Sequence, residues 1–247
     1  YLGKEMISRK RNDISEKNAM KIIFWSEFPE QVDFTKLNKE IDFDTEIYIA
    51  CKNKKEFLNW KKNVKNKHIS VGAWPILDKK DGYWFSGQTS KECIDNLDEF
   101  KDLKTKIDIE PKIFSGRYSM FKTIIWLKKW ILMPGKNKDY LASKIKNMDC
   151  IVSGFLLPRW MRKRVGMEAG NRRNFICYSS FSKLLKGYYR FMIKRMDKDN
   201  FYAIGMTDHG VFGNEPCYRN KEEFIKDLGF MKKLGVKNLT IYLKNII

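Results

Sequence analysis

The sequence predicts a single (β/α)8 barrel of the TIM type, and three observations support this fold class. Eight short apolar runs alternate with segments of helical period, which is the pattern of a parallel sheet whose strands are joined by crossover helices. Eight such units is the number that closes a barrel. The 247 residues of the chain also match the roughly 250 residues that one such barrel commonly occupies.

The eight predicted strands share a high content of Ile, Val, Phe and Tyr, the residues that buried parallel strands favour. They cover residues 22–25, 46–51, 69–74, 106–109, 150–155, 175–178, 201–206 and 238–243.

The predicted helices have apolar stripes and end signals. Two stripes recur at i, i+3 and i+7, so each would place one apolar face on the sheet. Thr89 with Glu92 predicts a capping box, Asn220 with Glu223 predicts a second one, and Gly235 predicts a left-handed helix end before the last strand. The stripes are Phe34, Leu37 and Ile41 after the first strand, and Phe57, Trp60 and Val64 after the second.

Some segments depart from a regular barrel. An aromatic loop, 81–85, follows the third strand, and the interval after the fourth is longer still. Few residues follow the eighth strand, so we expect no eighth helix there. We therefore separate a polar, basic segment, 1–20, from a barrel domain, 21–247. Either this segment covers the side of the barrel where the eighth helix would lie, or the barrel stays partly open. The alternative fold is an open, doubly wound parallel sheet.

The formal net charge of +19 suggests an anionic partner. However, the chain has 38 Lys and 11 Arg, and they are scattered over every predicted helix, which favours a solvated surface. We expect weak, nonspecific binding to duplex DNA and no specific nucleic-acid partner.

The sequence indicates neither a metal nor a cofactor. The five cysteines form no C-x-x-C pair, and His68 and His209 are the only histidines, so the usual zinc sites would lack ligands. Glycine-rich phosphate loops, H-E-x-x-H and G-x-S-x-G are absent from the sequence.

The sequence is compatible with more than one cellular compartment. The longest apolar stretch, 123–133, is interrupted by Lys128 and Lys129 and is shorter than the roughly 20 residues that a membrane span needs. The chain begins at Tyr1 rather than Met. We therefore expect either an exported or membrane-anchored protein whose leading segment was removed, or a cytoplasmic one.

The end of the fourth predicted strand carries the best candidates for chemistry. It reads Ile107-Asp108-Ile109-Glu110, and the period-two alternation of a strand places both carboxylates on one face. If the isoleucines pack against helices, the carboxylates point into the mouth of the barrel, where active sites of this fold lie. We expect Glu110 to have a raised pKa there, as a general acid needs.

This D-x-E ending of the fourth strand resembles the signature of family-18 glycoside hydrolases, the chitinase and endo-N-acetylglucosaminidase group. The resemblance implies that Glu110 is the proton donor and that Asp108 supports the acetamido group of the substrate. Two further acids of the family pattern are replaced here by Lys106 and Leu103. The alternative mechanism is therefore that of a glycosidase that uses two carboxylates and no attack by the acetamido group of the substrate.

A further carboxylate, Glu27, follows the first predicted strand and is the third candidate catalytic residue. It would face Glu110 across a bound sugar, or it would be a structural acid paired with Lys or Arg.

Aromatic residues are predicted around the same mouth, and sugar rings stack on such side chains through their C–H faces. Each one could equally be core filler. They are Trp25, Trp74, Tyr83, Trp84, Tyr178 and Tyr242.

Two loops complete the predicted mouth. The loop after the seventh strand, 207–216, contains Asp208, His209 and Glu215, which would bind substrate or form a plain turn. The segment 159–173 has six Lys or Arg against Glu168. It would be a solvated loop on the mouth face, or a contact for an anionic polymer or a membrane surface.

The sequence thus predicts a glycoside-hydrolase-like enzyme that acts on a cell-wall or surface polysaccharide, with carbohydrate as its partner. The alternative is a non-catalytic barrel that binds a glycan or an anionic polymer.

Overall fold

Eight parallel strands form a closed barrel in chain order. The structure is a computed structural model that describes residues 20–112, 119–180, 185–207 and 209–243. The first strand pairs with the eighth over five residues, from Lys21 opposite Asn238 to Trp25 opposite Tyr242. This pairing confirms the predicted (β/α)8 barrel, and both the open sheet and the partly open barrel are wrong.

The strands are short, as is usual for this fold. Their bounds are β1 Lys21–Ser26, β2 Thr45–Cys51, β3 Ile69–Pro75, β4 Thr105–Asp108, β5 Cys150–Phe155, β6 Arg172–Cys177, β7 Phe201–Ile204 and β8 Asn238–Tyr242.

Eight α-helices lie within the described residues, with two of them between β4 and β5. Their bounds are α1 Phe34–Glu40, α2 Lys54–Lys61, α3 Lys91–Asp95, α4 Met120–Leu132, α5 Lys138–Lys146, α6 Arg159–Val165, α7 Leu185–Arg195 and α8 Lys221–Lys233. Short 3-10 turns cover Pro29–Gln31, Lys79–Asp81 and Asn96–Phe100. β8 ends one residue before Leu243, which closes the last described range.

The strand predictions differ from the structure mainly at β6. The strand begins at Arg172, three residues before the predicted start, because its arginines find partners there. Arg172 contacts Glu46 at 3.2 Å and Asp149 at 3.5 Å, so a charged residue is tolerated where an apolar one was expected. β4 ends at Asp108, and Ile109 continues only as an isolated bridge to Phe85.

The helix-end predictions are confirmed in part, and the capping residue itself differs at α3. Asn220 caps α8 by accepting from the Glu223 amide at 3.0 Å, although the Glu223 side chain accepts from the Arg219 amide at 3.1 Å instead of completing the predicted capping box with Asn220. Gly235 has the expected positive φ of 73°. In α3 the cap is Ser90, which accepts from the Cys93 amide at 3.3 Å. Thr89 instead accepts from the amide of Ser86 at 3.0 Å and closes the preceding turn.

The core has two layers, because alternate residues of each strand face opposite sides. One layer lies between the barrel and the helices and includes Ile107 and Ile109, both fully buried. The other fills the barrel itself with side chains such as Ile23, Trp25 and Tyr48.

Within the described ranges, no helix is long and apolar enough to cross a membrane. The predicted segment 1–20 lies outside them except for Met20.

Candidate functional site

The inward face of β4 carries three ionisable side chains in succession. Lys106, Asp108 and Glu110 are all buried, with relative exposures of 1%, 4% and 6%. Ile107 and Ile109 pack toward the helices, so the alternation predicted from the sequence holds. The three side chains line a cavity in the mouth of the barrel, where the C-terminal ends of the strands meet.

Lys106 forms a buried ion pair with Asp108. Its Nζ donates to both carboxylate oxygens, at 2.5 and 2.7 Å. The same atom lies over the rings of Trp74 and Trp25, 3.4 and 3.9 Å from their centroids. Burial lowers the pKa of Lys106, whereas the carboxylate and the two indole faces favour its charged form.

Glu110 is held next to this pair. Its backbone amide donates to the Phe85 carbonyl at 3.0 Å, which ties the end of β4 to the aromatic loop. The pKa of Glu110 is raised well above its ordinary value, chiefly by burial and then by the charge of Asp108, although Lys106 acts in the opposite direction. The raised pKa agrees with the expectation from sequence, but burial is the larger cause.

Glu27 lies at the end of β1 and lines the same cavity. Burial raises its pKa to about 7, while hydrogen bonds from Tyr242 and Tyr83 oppose the increase. Tyr242 donates to Glu27 at 2.8 Å. Its hydrogen-bond donors are thus tyrosine hydroxyls rather than the Lys or Arg that a structural ion pair would supply.

Tyr83 reaches Glu27 from a left-handed backbone conformation, with φ of 64°. Such a conformation is unfavourable for a residue with a Cβ and is often found where a side chain must be placed for function. Its ring packs edge-on against Trp84 at 5.5 Å.

Glu215 brings a fourth carboxylate to the cavity. It accepts from the Phe212 amide at 2.8 Å, and burial raises its pKa to about 8. Gly210 allows this placement, because a Cβ there would lie 2.7 Å from the Glu215 carboxylate. We call Glu27, Asp108, Glu110 and Glu215 the acidic cluster.

Aromatic side chains form most of the remaining cavity wall. The indole nitrogens of Trp25 and Trp74 are buried and have no acceptor within the described residues. Such donors are costly to bury unpaired. The aromatic lining residues are Trp25, Trp74, Trp84, Trp126, Phe155, Tyr178, Phe212 and Tyr242.

His209 is not part of this wall. Its Nδ1 lies 2.8 Å from the Glu215 carbonyl oxygen and 3.8 Å from Cys217 Sγ, so it supports the loop that carries Glu215. Asp208 lies outside the described residues.

The sequence reasoning missed Lys106, Trp126 and Phe212 as cavity residues. The sequence could have indicated Lys106, since the alternation of the strand places it on the inward face of β4 with Asp108 and Glu110. Trp126 lies on α4 and Phe212 in a loop, and their rings stack at 6.3 Å. No local pattern in the sequence predicts this contact.

The basic segment 159–173 divides between the two ends of the barrel, so its predicted location on the mouth face is wrong for Arg172. That residue starts β6 and contacts Glu46 and the Tyr48 hydroxyl near the opposite end. In α6, Arg162 is buried against Glu168 at 2.6 Å. These arginines are structural, whereas Arg159, Lys163 and Arg164 are exposed.

No group of three His, Cys, Asp or Glu is arranged to hold a metal ion in the part of the chain that the structure describes.

Together, the fold and the site define a β/α barrel with a buried acidic cluster and an aromatic wall at its mouth. No family model matches the chain, and no curated protein matches it in sequence. Neither comparison supports the resemblance to family-18 glycoside hydrolases that the β4 residues suggested.

Among solved structures, the chain is similar to one described as the copper homeostasis protein CutC from Streptococcus agalactiae. That match has 11% identity and a TM-score of 0.37, and it covers 90% of this chain and 98% of that one. A short-chain dehydrogenase from Oenococcus oeni matches with 11% identity and a TM-score of 0.31, covering 94% and 99% of the two chains. Scores this low carry no argument about function.

Proposed function

We propose that this protein is a glycoside hydrolase that uses buried carboxylates for acid/base catalysis on a glycan. The observation that carries the proposal is Glu110, a buried acid with a strongly raised pKa in an aromatic-walled cavity that also holds three other carboxylates. Glycoside hydrolysis needs one protonated acid and one ionised carboxylate in the same site.

Glu110 is the proposed general acid, because burial and the neighbouring charge of Asp108 raise its pKa well above the ordinary value, which favours the protonated form that a general acid needs. It would donate its proton to the glycosidic oxygen as the bond to the sugar breaks. Glu27 is the proposed second carboxylate. Its pKa of about 7 leaves it partly ionised near neutrality, so it could accept a proton from water or stabilise the developing positive charge on the sugar.

Asp108 is proposed to tune this pair rather than to contact the substrate's acetamido group. Both of its oxygens accept hydrogen bonds from Lys106, the residue that replaces one acid of the family-18 pattern. This arrangement favours a two-carboxylate mechanism over one that uses attack by the acetamido group.

The cavity wall supports carbohydrate as the ligand. Trp84, Tyr178 and Trp126 are half-buried lining residues whose rings could stack on the C–H faces of a sugar.

The test is hydrolysis of a panel of aryl glycosides and polysaccharides by the wild type and by E110Q, D108N and E222Q. E110Q should lower turnover by at least about a hundredfold, because general acid catalysis contributes on that scale. D108N should also lower it. The exposed Glu222 on α8 provides the matched control, so E222Q should act like the wild type.

If the wild type hydrolyses a substrate and E110Q does so equally well, the catalytic assignment is wrong. If no substrate turns over but glycans bind, and E110Q binds them with unchanged affinity, the barrel is a glycan-binding module. The aromatic wall would support that second function without any proton transfer.

A further inference from the structure

A group of large apolar side chains is exposed beside the mouth of the barrel. Most belong to α4, and one belongs to α6. We call them the apolar surface. They are Phe121, Ile124, Ile125, Leu132, Met133 and Trp160, with relative exposures of 72%, 58%, 47%, 59%, 62% and 61%.

The outward face of α4 carries exposed apolar side chains, with the exposed Lys128 one turn further along the same face. Phe121, Ile124 and Ile125 are spaced at i, i+3 and i+4, so they share one side of the helix. The opposite side holds Trp126, which lines the cavity, and Trp130, which is 1% exposed. A helix on the surface of a soluble protein usually has a polar outer face. The exposed apolar side chains of α4 therefore indicate that a binding partner covers this face.

α6 extends this surface at the far end of α4. Arg164 donates to the carbonyls of Ile131 and Leu132 at 2.6 and 2.9 Å, which fixes α6 against the end of α4. Trp160 lies one turn before Arg164 on the same side of α6. Its ring, 61% exposed, is therefore on the side of α6 from which Arg164 reaches the end of α4.

Positive charge surrounds the apolar surface. Residues 119–138 contain five Lys or Arg and no Asp or Glu, and residues 150–167 also contain no acid. The exposed cations on α4 and α6 are Lys122, Lys128, Lys129, Arg159, Lys163 and Arg164.

We infer that the apolar surface docks on an anionic phospholipid bilayer. Apolar side chains bordered by Lys and Arg are the composition of interfacial membrane helices, in which the apolar groups enter the headgroup region and the cations meet lipid phosphates. A second copy of the chain is a poor occupant, because two surfaces of like charge would meet. α4, with 13 residues, is too short to span a bilayer but long enough to lie along its surface.

Docking in this manner would place the mouth of the barrel at the bilayer. Thr123 and Trp126 line the cavity from the inner side of the same helix. The inference does not depend on glycoside hydrolysis, and its test uses binding rather than turnover.

The experiment is flotation of the protein with vesicles of phosphatidylcholine, alone or with about a third of the lipid as phosphatidylglycerol. I124S/I125S removes the centre of the apolar surface. The matched control is L58S/I225S, which changes two residues of similar exposure, 42% and 46%, on α2 and α8. Circular dichroism should show that both variants remain folded, since all four positions are exposed.

The wild type and L58S/I225S should float with the anionic vesicles and not with phosphatidylcholine alone, and I124S/I125S should partition at least about tenfold less. Failure of the wild type to bind anionic vesicles overturns the inference. So does equal binding by the two double variants, which would show attraction by charge alone. If the wild type is instead a dimer in solution that only I124S/I125S dissociates, the occupant is a second copy.

Discussion

At the scale of single residues, Lys106 and Asp108 determine how charge is distributed in the mouth. A buried charge is costly unless it is paired, and here the ammonium meets both carboxylate oxygens of Asp108 and two indole faces. Among the described residues, no comparable cation bonds to Glu27 or Glu215, whose hydrogen bonds there come from hydroxyl or amide groups. Burial therefore raises the pKa of both.

This difference predicts how stability depends on pH. The pKa of Glu27 rises from 4.5 to about 7 on folding, so the folded state keeps a proton that the unfolded state has lost. The stabilisation is complete below about pH 4.5 and is lost as the pH rises through about 7. A shift of this size corresponds to roughly 3 kcal/mol.

E27Q should reduce the loss of stability with rising pH, because a glutamine side chain is neutral throughout. Between about pH 5 and about pH 8, the free energy of unfolding of the wild type should fall by roughly 3 kcal/mol more than that of E27Q. Urea denaturation at the two pH values measures this difference. The control E222Q should show the same pH dependence of the free energy of unfolding as the wild type. If E27Q also shows the same pH dependence as the wild type, Glu27 does not titrate as described.

At the scale of elements, the barrel depends on close contacts between neighbouring strands. Gly72 on β3 faces Tyr48 on β2, and a Cβ at Gly72 would lie 2.5 Å from the Tyr48 ring. The glycine is therefore required by packing, not by backbone conformation. By contrast, Gly229 in α8 has no atom within 4 Å of the position of its Cβ.

The two glycines should consequently respond in opposite directions to the same substitution. G72A should lower the free energy of unfolding by about 1 to 3 kcal/mol, the usual cost of overpacking a core. G229A should raise it by about 0.5 to 1 kcal/mol, because alanine is the better helix former. Urea denaturation of both variants measures these changes, and destabilisation of similar size in both would contradict the packing argument.

At the scale of the whole molecule, closure of the barrel brings β1 and β4 to one cavity, although Glu27 and Glu110 are far apart in the chain. The net charge of +19 is also a property of the whole molecule. Some of the cations are structural, as in the contacts of Arg162 and Arg172, and most lysines are dispersed over the helices.

A dispersed charge predicts weak binding to DNA that is independent of sequence and sensitive to salt. Two unrelated duplexes should bind with equal affinity at low ionic strength, and both should dissociate as salt approaches the physiological range. Fluorescence anisotropy during a salt titration measures this. Nanomolar, sequence-selective binding at physiological salt would show that the basic surface forms a specific nucleic-acid site.

The amino-acid sequence by itself determined the eight strands, most of the helix ends and the inward placement of Asp108 and Glu110, because these depend on local periodicity and capping. The start of β6 escaped prediction, since Arg172 is stabilised there by Glu46 and Asp149, which are distant in the chain. Only the tertiary structure decided which side chains share the cavity and how each one ionises. Burial, the Lys106–Asp108 pair and the contact of Trp126 with Phe212 arise when separate segments meet, and no local pattern encodes the distances between them.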